Sequence, residues 1–377
     1  MRSTYAVINL SNLKKNYINI KRKVKDVKIM AVVKANAYGH GMNKVVFALN
    51  SLKDKKPDYY AVAIPDEAVE LRKLKIKQPI LVFEPFIKNE INLIFDYNLI
   101  PTVFEERHIK LISQALNVFN KKYNKKLKAK VHVKVDTGMN RLGINYNKAF
   151  EFLVKLSKNK NFIIDGIYTH FATSDEKDKK FANLQLARFK RLLNRLKDKG
   201  IDCGLVHAAN SGAILDMPDA YFDMVRPGIS LYGYYPSLET SESIVLNPVM
   251  SIISYVGSIK KIRIGDTVSY GRIFRANKTM NIISVPIGYA DGFNRNLSNK
   301  AFAIIKSKLY PQVGRVTMDR IMYNVGNDKI NPGEKVTLLG SQNGISINAW
   351  DWSKKLNTIP YEITCNISKR IPRVYKY

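Results

Sequence analysis

The sequence predicts an α/β chain: a (β/α)8 barrel of the TIM type followed by a mainly β C-terminal domain. Three observations predict it. Short apolar, β-branched runs recur eight times through the first 226 residues. Stretches of helical period separate most of them. Near Pro236 the pattern changes to strand-like runs punctuated by Gly, Pro and Asn. Alternation of strand and helix implies a parallel sheet, and eight units imply closure. An open doubly wound sheet is the competing architecture. No G-x-G-x-x-G follows the first strand, which weakens it.

In order, the barrel strands are expected at Ile29–Val33, Tyr59–Ala63, Ile80–Phe83, Ile100–Val103, Val131–Val135, Ile163–Thr169, Leu205–Ala208 and Phe222–Val225. Pro65 followed by Asp66 and Glu67 marks a helix start. Glu105–Asn124 and Phe181–Lys199 read as amphipathic helices, the second ended by Gly200. From Pro248 onward, strands are expected at Met250–Ile259, Thr267–Tyr270, Met280–Ile287, Ala301–Ile305, Gln312–Val316, Met322–Val325 and Lys335–Leu339. The domains are expected at 11–235 (barrel) and 236–377 (β-domain). An N-terminal strand within 1–10, around Val7-Ile8-Asn9-Leu10, is expected to join the second.

The chain has 377 residues, 46% hydrophobic, enough for a large buried core. It carries 62 Lys and Arg against 31 Asp and Glu, a net charge of +31. Such a balance suits nucleic acid or an anionic membrane. Here the excess is mostly Lys scattered with Asn and Ile, as in Lys121–Lys130, with no basic run interleaved with aromatics for stacking bases. A solvated Lys surface is the better reading, and neither nucleic acid nor membrane is expected as a partner. Cys203 and Cys365 make no disulfide framework and no zinc pair, so a reducing cytoplasmic setting is expected. No apolar run approaches a membrane span, and MRSTYAVINL does not read as a signal peptide.

Chemistry in such a barrel belongs at the C-terminal ends of the strands. Those ends carry Lys34, Lys134-Val135-Asp136, His170, His207 with Asn210-Ser211, and Arg226-Pro227-Gly228. Cations and polar groups converge without a carboxylate pair, which suits an anionic cofactor or substrate better than a divalent metal; no metal is expected. Lys34 closes an apolar strand, where an amine among cations loses its proton readily and can attack a carbonyl. A snorkelling lysine is the plainer reading. Arg226-Pro227-Gly228-Ile229-Ser230 and Asn210-Ser211-Gly212 fall at the loops where barrels hold phosphate; for Ser211 the plainer reading is an N-cap. His40, His108 and His132 read as structural.

Taken together, these residues resemble the alanine racemase family. The matching motifs are Ala31-Val32-Val33-Lys34-Ala35-Asn36-Ala37-Tyr38-Gly39-His40-Gly41, Val135–Gly143, Thr169–Ala172, His207–Ser211, Val225–Gly228, Val268–Gly271, Gly288–Gly292, Gly314–Asp319 and Pro360–Glu362. The resemblance implies a pyridoxal 5'-phosphate enzyme that interconverts L- and D-alanine. It implies an aldimine at Lys34, with Lys34 and Tyr270 as the two catalytic bases and Tyr270 supplied by the partner subunit of a homodimer. It further implies that Tyr38, Ser211, Tyr361 and the backbone of Gly228 and Ile229 hold the cofactor phosphate, with Asn210 also among the cofactor-binding residues. Arg226 would face the pyridine nitrogen, and His170 would link Tyr270 to Arg226 with His207 alongside. Arg141 and the partner's Met318 would place the substrate carboxylate. Lys134 is implied as an N6-carboxylysine that orients Arg141, and His207, Asp319 and Tyr289 are implied as supporting residues of the site. A role in D-alanine supply for peptidoglycan follows from the family. Asn140 and Thr317 stand where Gly and Cys are common in it.

One group on each face of a carbon is what racemisation needs, so a Lys–Tyr pair is coherent. Arginine can only donate, so a pyridine facing Arg226 is expected to be unprotonated, which suppresses side reactions such as transamination. The alternatives are a racemase of serine or lysine, a fold-related decarboxylase, a non-catalytic pyridoxal-phosphate-binding protein and a basic nucleic-acid binder.

Overall fold

A computed structural model of the chain describes residues 3–377. Met1 and Arg2, part of the expected strand 1–10, lie outside the described residues. The first strand, β1 (Tyr5–Asn9), is followed by a helix over Leu10–Val24. Then come β2 (Lys28–Val32), β3 (Tyr59–Val62), β4 (Ile80–Val82), β5 (Ile100–Val103), β6 (Ala129–Asp136), β7 (Ile144–Asn145), β8 (Phe162–Tyr168), β9 (Leu205–His207) and β10 (Met224–Val225). These pair in parallel in the order β10-β2-β3-β4-β5-β6-β8-β9, with the two-residue β7 hanging off β6. Backbone bonds from Asp223 N–H to Val206 O (3.0 Å) and from Arg226 N–H to Ala209 O (2.8 Å) bridge β9 and β10. They all but close the ring. All eight barrel strands stand where the apolar runs placed them, within a residue or two at each end.

The helices follow from spacing. Lys180–Asp198 buries Ala182, Leu186, Phe189, Leu192 and Leu196, an i, i+3/i+4 stripe, and turns Lys and Arg outward. Each such Leu or Phe stabilises by about 1.5–3 kcal/mol. Gly200 at φ 69° follows the helix end. Glu106–Tyr123 ends at Asn124 in the left-handed region. Pro65–Lys73 starts on its proline, with Glu67 Oε2 accepting from Ala63 N–H at 2.9 Å.

Beyond the barrel, β11 (Met250–Tyr255), β12 (Ser258–Ile262), β13 (Thr267–Val268), β14 (Phe274–Arg275), β15 (Met280–Val285), β16 (Phe302–Ile305), β17 (Lys308–Pro311), β18 (Ile321–Gly326), β19 (Lys335–Gln342), β20 (Ile345–Ile347) and β21 (Arg373–Lys376) build a mainly β region. Its largest sheet runs β17-β16-β19-β11-β1-β21, so β1 crosses from the N-terminus to pair between β11 and β21. One apolar core extends from Ala6 to Ile371, and a small second cluster forms around Val268 and Ile282.

Three expected strands change shape. Met250–Ile259 breaks at Val256-Gly257 into β11 and β12. Thr267–Tyr270 stops after Val268, because Ser269 takes φ 67°. Gln312–Val316 is not a strand: only a bridge from Gln312 to Tyr323 forms. Gly314 there takes φ 75° against Val268 O, where a Cβ would sit at 2.6 Å, and the extended partner of β16 is instead β17.

Candidate active site

Strand β2 stops at Val32, and Lys34 opens a turn of unusual hand. Ala35, Asn36, Ala37 and Tyr38 all have φ between 52° and 55°. Four consecutive L-residues in this region cost about 1–2 kcal/mol each. The surroundings hold them there: Asn36 Oδ1 accepts from Met42 N–H (2.8 Å), and Glu67 Oε1 accepts from Ala35 N–H (2.5 Å). Tyr38 stacks on Tyr232 with centroids 4.8 Å apart. Gly39, at φ 82°, lies so close to the helix Pro360–Cys365 that a Cβ would meet Thr364 O at 2.1 Å. The turn swings Lys34 into a cavity of about 380 Å³ at the strand C-termini. Burial, then the Arg141 charge, lowers the Lys34 pKa against the opposing pull of Glu67.

The same cavity is lined by Tyr38, Lys134, Arg141, His170, Asn210, Ser211, Arg226, Gly228, Ile229 and Tyr361, all singled out in the sequence. One end is a cradle. Asn210, not Ser211, caps the helix Ser211–Asp216, its Oδ1 accepting from Ala213 N–H at 3.1 Å. Ser211 is thereby free of capping, and its Oγ accepts from Gly228 N–H at 3.0 Å. At Gly228 a Cβ would strike the Tyr38 hydroxyl at 2.5 Å, so only glycine lets backbone, Ser211 and Tyr38 face one point. Tyr361 adds its ring beside Tyr38, 5.9 Å between centroids.

The other end is cationic. Arg226 is 3% exposed. It donates to Thr169 O (2.7 Å) and Ala208 O (2.9 Å), and its NH1 and NH2 lie 2.9 Å from His207 Nδ1 and 3.3 Å from His170 Nδ1. Burial pulls its pKa down to about 10. Burial above all, then Arg226, holds both His170 and His207 well below the ordinary histidine value, so both imidazoles are neutral. Lys134, also buried, is lowered to about 8 by desolvation and then by Arg141 and Arg226. Glu84, the carboxylate lining this cavity, was not expected there from the sequence, nor were Phe83, Leu142 and Tyr168. Glu84 lies two residues past β4, where the strand-end rule that found Lys34 would have found it.

Four singled-out residues lie elsewhere. Tyr270 is 72% exposed, Met318 52% and Tyr289 42%, and none lines the cavity of its own chain. Asp319 is bonded to Arg370 at 2.7 Å. Hydrogen bonds join their loops into one exposed patch. Ser269 Oγ donates to Arg315 O (2.7 Å), and Tyr289 N–H and Ala290 N–H donate to Thr317 O and Met318 O.

Family models described as "Alanine racemase, N-terminal domain" and "Alanine racemase, C-terminal domain" match residues 8–236 and 249–375. An alanine racemase of Caldanaerobacter subterraneus is 42% identical, covering 100% of this chain and 96% of that protein. One from Treponema denticola is also 42% identical, over 100% of this chain and 98% of that protein. Among solved structures, the Clostridium difficile alanine racemase superposes with a TM-score of 0.92 at 37% identity, covering 99% of this chain and 96% of the other. The Bacillus anthracis enzyme with bound L-Ala-P gives 0.89 at 35% identity, covering 100% of this chain and 96% of the other.

Proposed function

The chain belongs to the alanine racemase family, and from that membership we propose how it interconverts L- and D-alanine. The observation that carries the reading is one cavity with an amine of lowered pKa between a phosphate-type cradle and a buried guanidinium. The donor set fits pyridoxal 5'-phosphate. Ser211, Tyr38, Tyr361 and the backbone of Gly228 and Ile229 would hold its phosphate, with Asn210 lining the cavity beside them, and the close approach at Gly228 leaves room for one. Arg226 would face its ring nitrogen, and Lys34 would carry it covalently. When bound, the cofactor supplies the electron sink that lets an α-proton leave.

Lys34 Nζ removes or returns the proton on one face of the alanine carbon. On the other face the work falls to a group this chain does not bring to its own cavity. We assign it to the partner's Tyr270 in a homodimer, which accounts for the exposed, hydrogen-bonded patch that carries that residue. A phenol gives up its proton more readily beside cations, and Arg226 and Arg141 are the guanidinium cations of this cavity. Arg141, with the partner's Met318, receives the substrate carboxylate. Lys134, about half neutral near its pKa, is read as a carbamate that turns a second cation beside Arg141 into an anion. Tyr289 and Asp319 brace the patch, and His170 and His207 brace Arg226. We place the protein in the cytoplasm, whose reducing conditions suit Cys203 and Cys365, supplying D-alanine for peptidoglycan.

The test is spectral and kinetic. The purified protein is expected to be coloured, to bleach with borohydride, and to lose both properties as Lys34→Ala. Tyr270→Phe is expected to keep the colour and to lose L-to-D turnover by at least about 100-fold, the scale of a general acid–base. Full turnover in that variant overturns the two-base assignment. Turnover of serine above alanine would overturn the substrate.

A further inference from the structure

His132 reads as structural in the sequence, and Asp165 lies outside the cavity. The structure joins them to the site. Between β6 and β8 the register slips: Val131 faces Ile164 but His132 faces Gly166, leaving Asp165 as the extra residue of a bulge. A bulge re-aims a side chain. Two glycines make room for it. A Cβ on Gly166 would lie 2.6 Å from His132 Cε1, and one on Gly204, at φ 60°, would lie 2.4 Å from Asp165 O. The fully buried His132 sits with Nε2 3.5 Å from Asp165 Oδ2, an electrostatic contact in which that nitrogen makes no hydrogen bond. Its Nδ1 lies 2.9 Å from His207 Nε2, and His207 Nδ1 lies 2.9 Å from Arg226 NH1.

The donor inventory gives this row one direction. A guanidinium has donors only, so His207 Nδ1 accepts. A neutral His207 then carries its proton on Nε2 and donates to His132 Nδ1. His132 in turn carries its proton on Nε2, the nitrogen on the Asp165 side. At that far end stands a carboxylate that also receives Lys130 Nζ (3.2 Å) and the Tyr59 hydroxyl (3.3 Å). The His132 imidazole above all keeps Asp165 ionised, at a pKa of about 2. Both ends therefore demand the same proton arrangement. Tyr168, stacked on His207 at 4.8 Å and 8°, holds that ring in plane. Arg226 is a buried cation, and such charges need compensation. The relay brings it from Asp165 across two neutral rings, without a carboxylate beside the cofactor ring.

We propose that Asp165 and His132 are positioning residues of this enzyme: through His207 they fix the orientation and hydrogen-bond polarity of Arg226 from inside the barrel. The cofactor half of this rests on the reading above; the proton arrangement does not. The test is ¹⁵N NMR of the holoenzyme, and of the same protein freed of cofactor, with only its 5 histidines labelled. In the unsubstituted protein His132 and His207 should each show a protonated Nε2 and a bare Nδ1. A protonated Nδ1 on either ring overturns the proposal without any variant. Asp165→Asn, which removes the negative end of the row while Arg226 still sets its direction, should keep both tautomers and shift the His132 Nε2 resonance. It should also weaken pyridoxal phosphate retention and lower kcat, each by about tenfold, the scale on which supporting hydrogen bonds act on a site. KM for alanine should stay unchanged, because Arg226 is not the carboxylate-binding arginine. His132→Leu should do the same, and His132→Gln, which restores an acceptor for His207, should recover most of the loss. Unchanged ring shifts in Asp165→Asn, or equal losses in His132→Leu and His132→Gln, overturn it. Correct tautomers in a protein that takes up no pyridoxal phosphate would sustain the relay while refuting the cofactor reading.

Discussion

At the residue scale, Lys134 shows burial doing chemical work. Desolvation and two neighbouring guanidiniums hold its pKa near 8. Near that pH about half the amine is neutral, where an ordinary lysine with a pKa near 10.4 is roughly 0.4% neutral. Only the neutral amine adds CO2, so occupancy of the carbamate should rise through the region around pH 8 and fall in acid. Intact-mass spectra across that range should show one added CO2 per chain, absent in Lys134→Met; no added mass at any pH would refute it. Gly228→Ala tests the cradle. Its new methyl meets the Tyr38 hydroxyl at 2.5 Å, so cofactor affinity should drop by about tenfold or more with the fold intact, read by titrating the apo-protein with pyridoxal phosphate. Most of the cavity was legible residue by residue, because strand ends point at one rim. His132 was not: two positions before Lys134 on β6, it shares that residue's face, yet a lone histidine carries no sign of what it will meet across a barrel. Asn140 was visible only as a departure from the family. Its φ of 55° is one that asparagine tolerates better than most residues with a side chain, which is why it can replace glycine there.

At the element scale, the eight barrel strands were readable because they are short, mostly apolar runs separated by stretches of helical period. The left-handed turn at Ala35–Tyr38 was not readable, since of Ala-Asn-Ala-Tyr only Asn36 is of a type that tolerates positive φ. Tertiary contacts impose it: Glu67 on one helix, Thr364 on another, and the Tyr232 ring. Gly39→Ala isolates this. It places a methyl 2.1 Å from Thr364 O at φ 82°, so the turn must shift or the helix Pro360–Cys365 must retreat. The expected cost is about 2 kcal/mol or more, a lower urea midpoint at unchanged slope. The bound-cofactor absorbance should weaken as well, because Lys34 and Tyr361 sit on the two elements forced apart. A variant with wild-type stability and colour would mean that the turn is not held by this contact. The strands lost beyond the barrel have the same kind of cause. Ser269 and Gly314 adopt positive φ where loops bond to each other, and alternation of apolar residues does not report that.

At the scale of the whole molecule, one cavity and one exposed patch divide the proposed chemistry between them. Lys34, Arg226 and the cradle are in the barrel, whereas Tyr270 and Met318 stand on the mainly β region, turned to solvent. Sequence motifs reveal both sets but not the distance between them, because a motif carries no information on which copy of the chain completes it. If two chains share each site, two dead variants should rescue one another. Mixing Lys34→Ala with Tyr270→Phe chains and allowing subunits to exchange gives heterodimers in which one site has both substitutions and the other has neither. With random pairing of equal amounts, half the dimers are mixed and half their sites intact, so activity should return to roughly a quarter of the unsubstituted level. A site complete within one chain gives no recovery at any mixing ratio. Because recovery needs exchange, dilution that dissociates dimers before mixing should speed its appearance, whereas a monomeric enzyme would show neither recovery nor dependence on concentration.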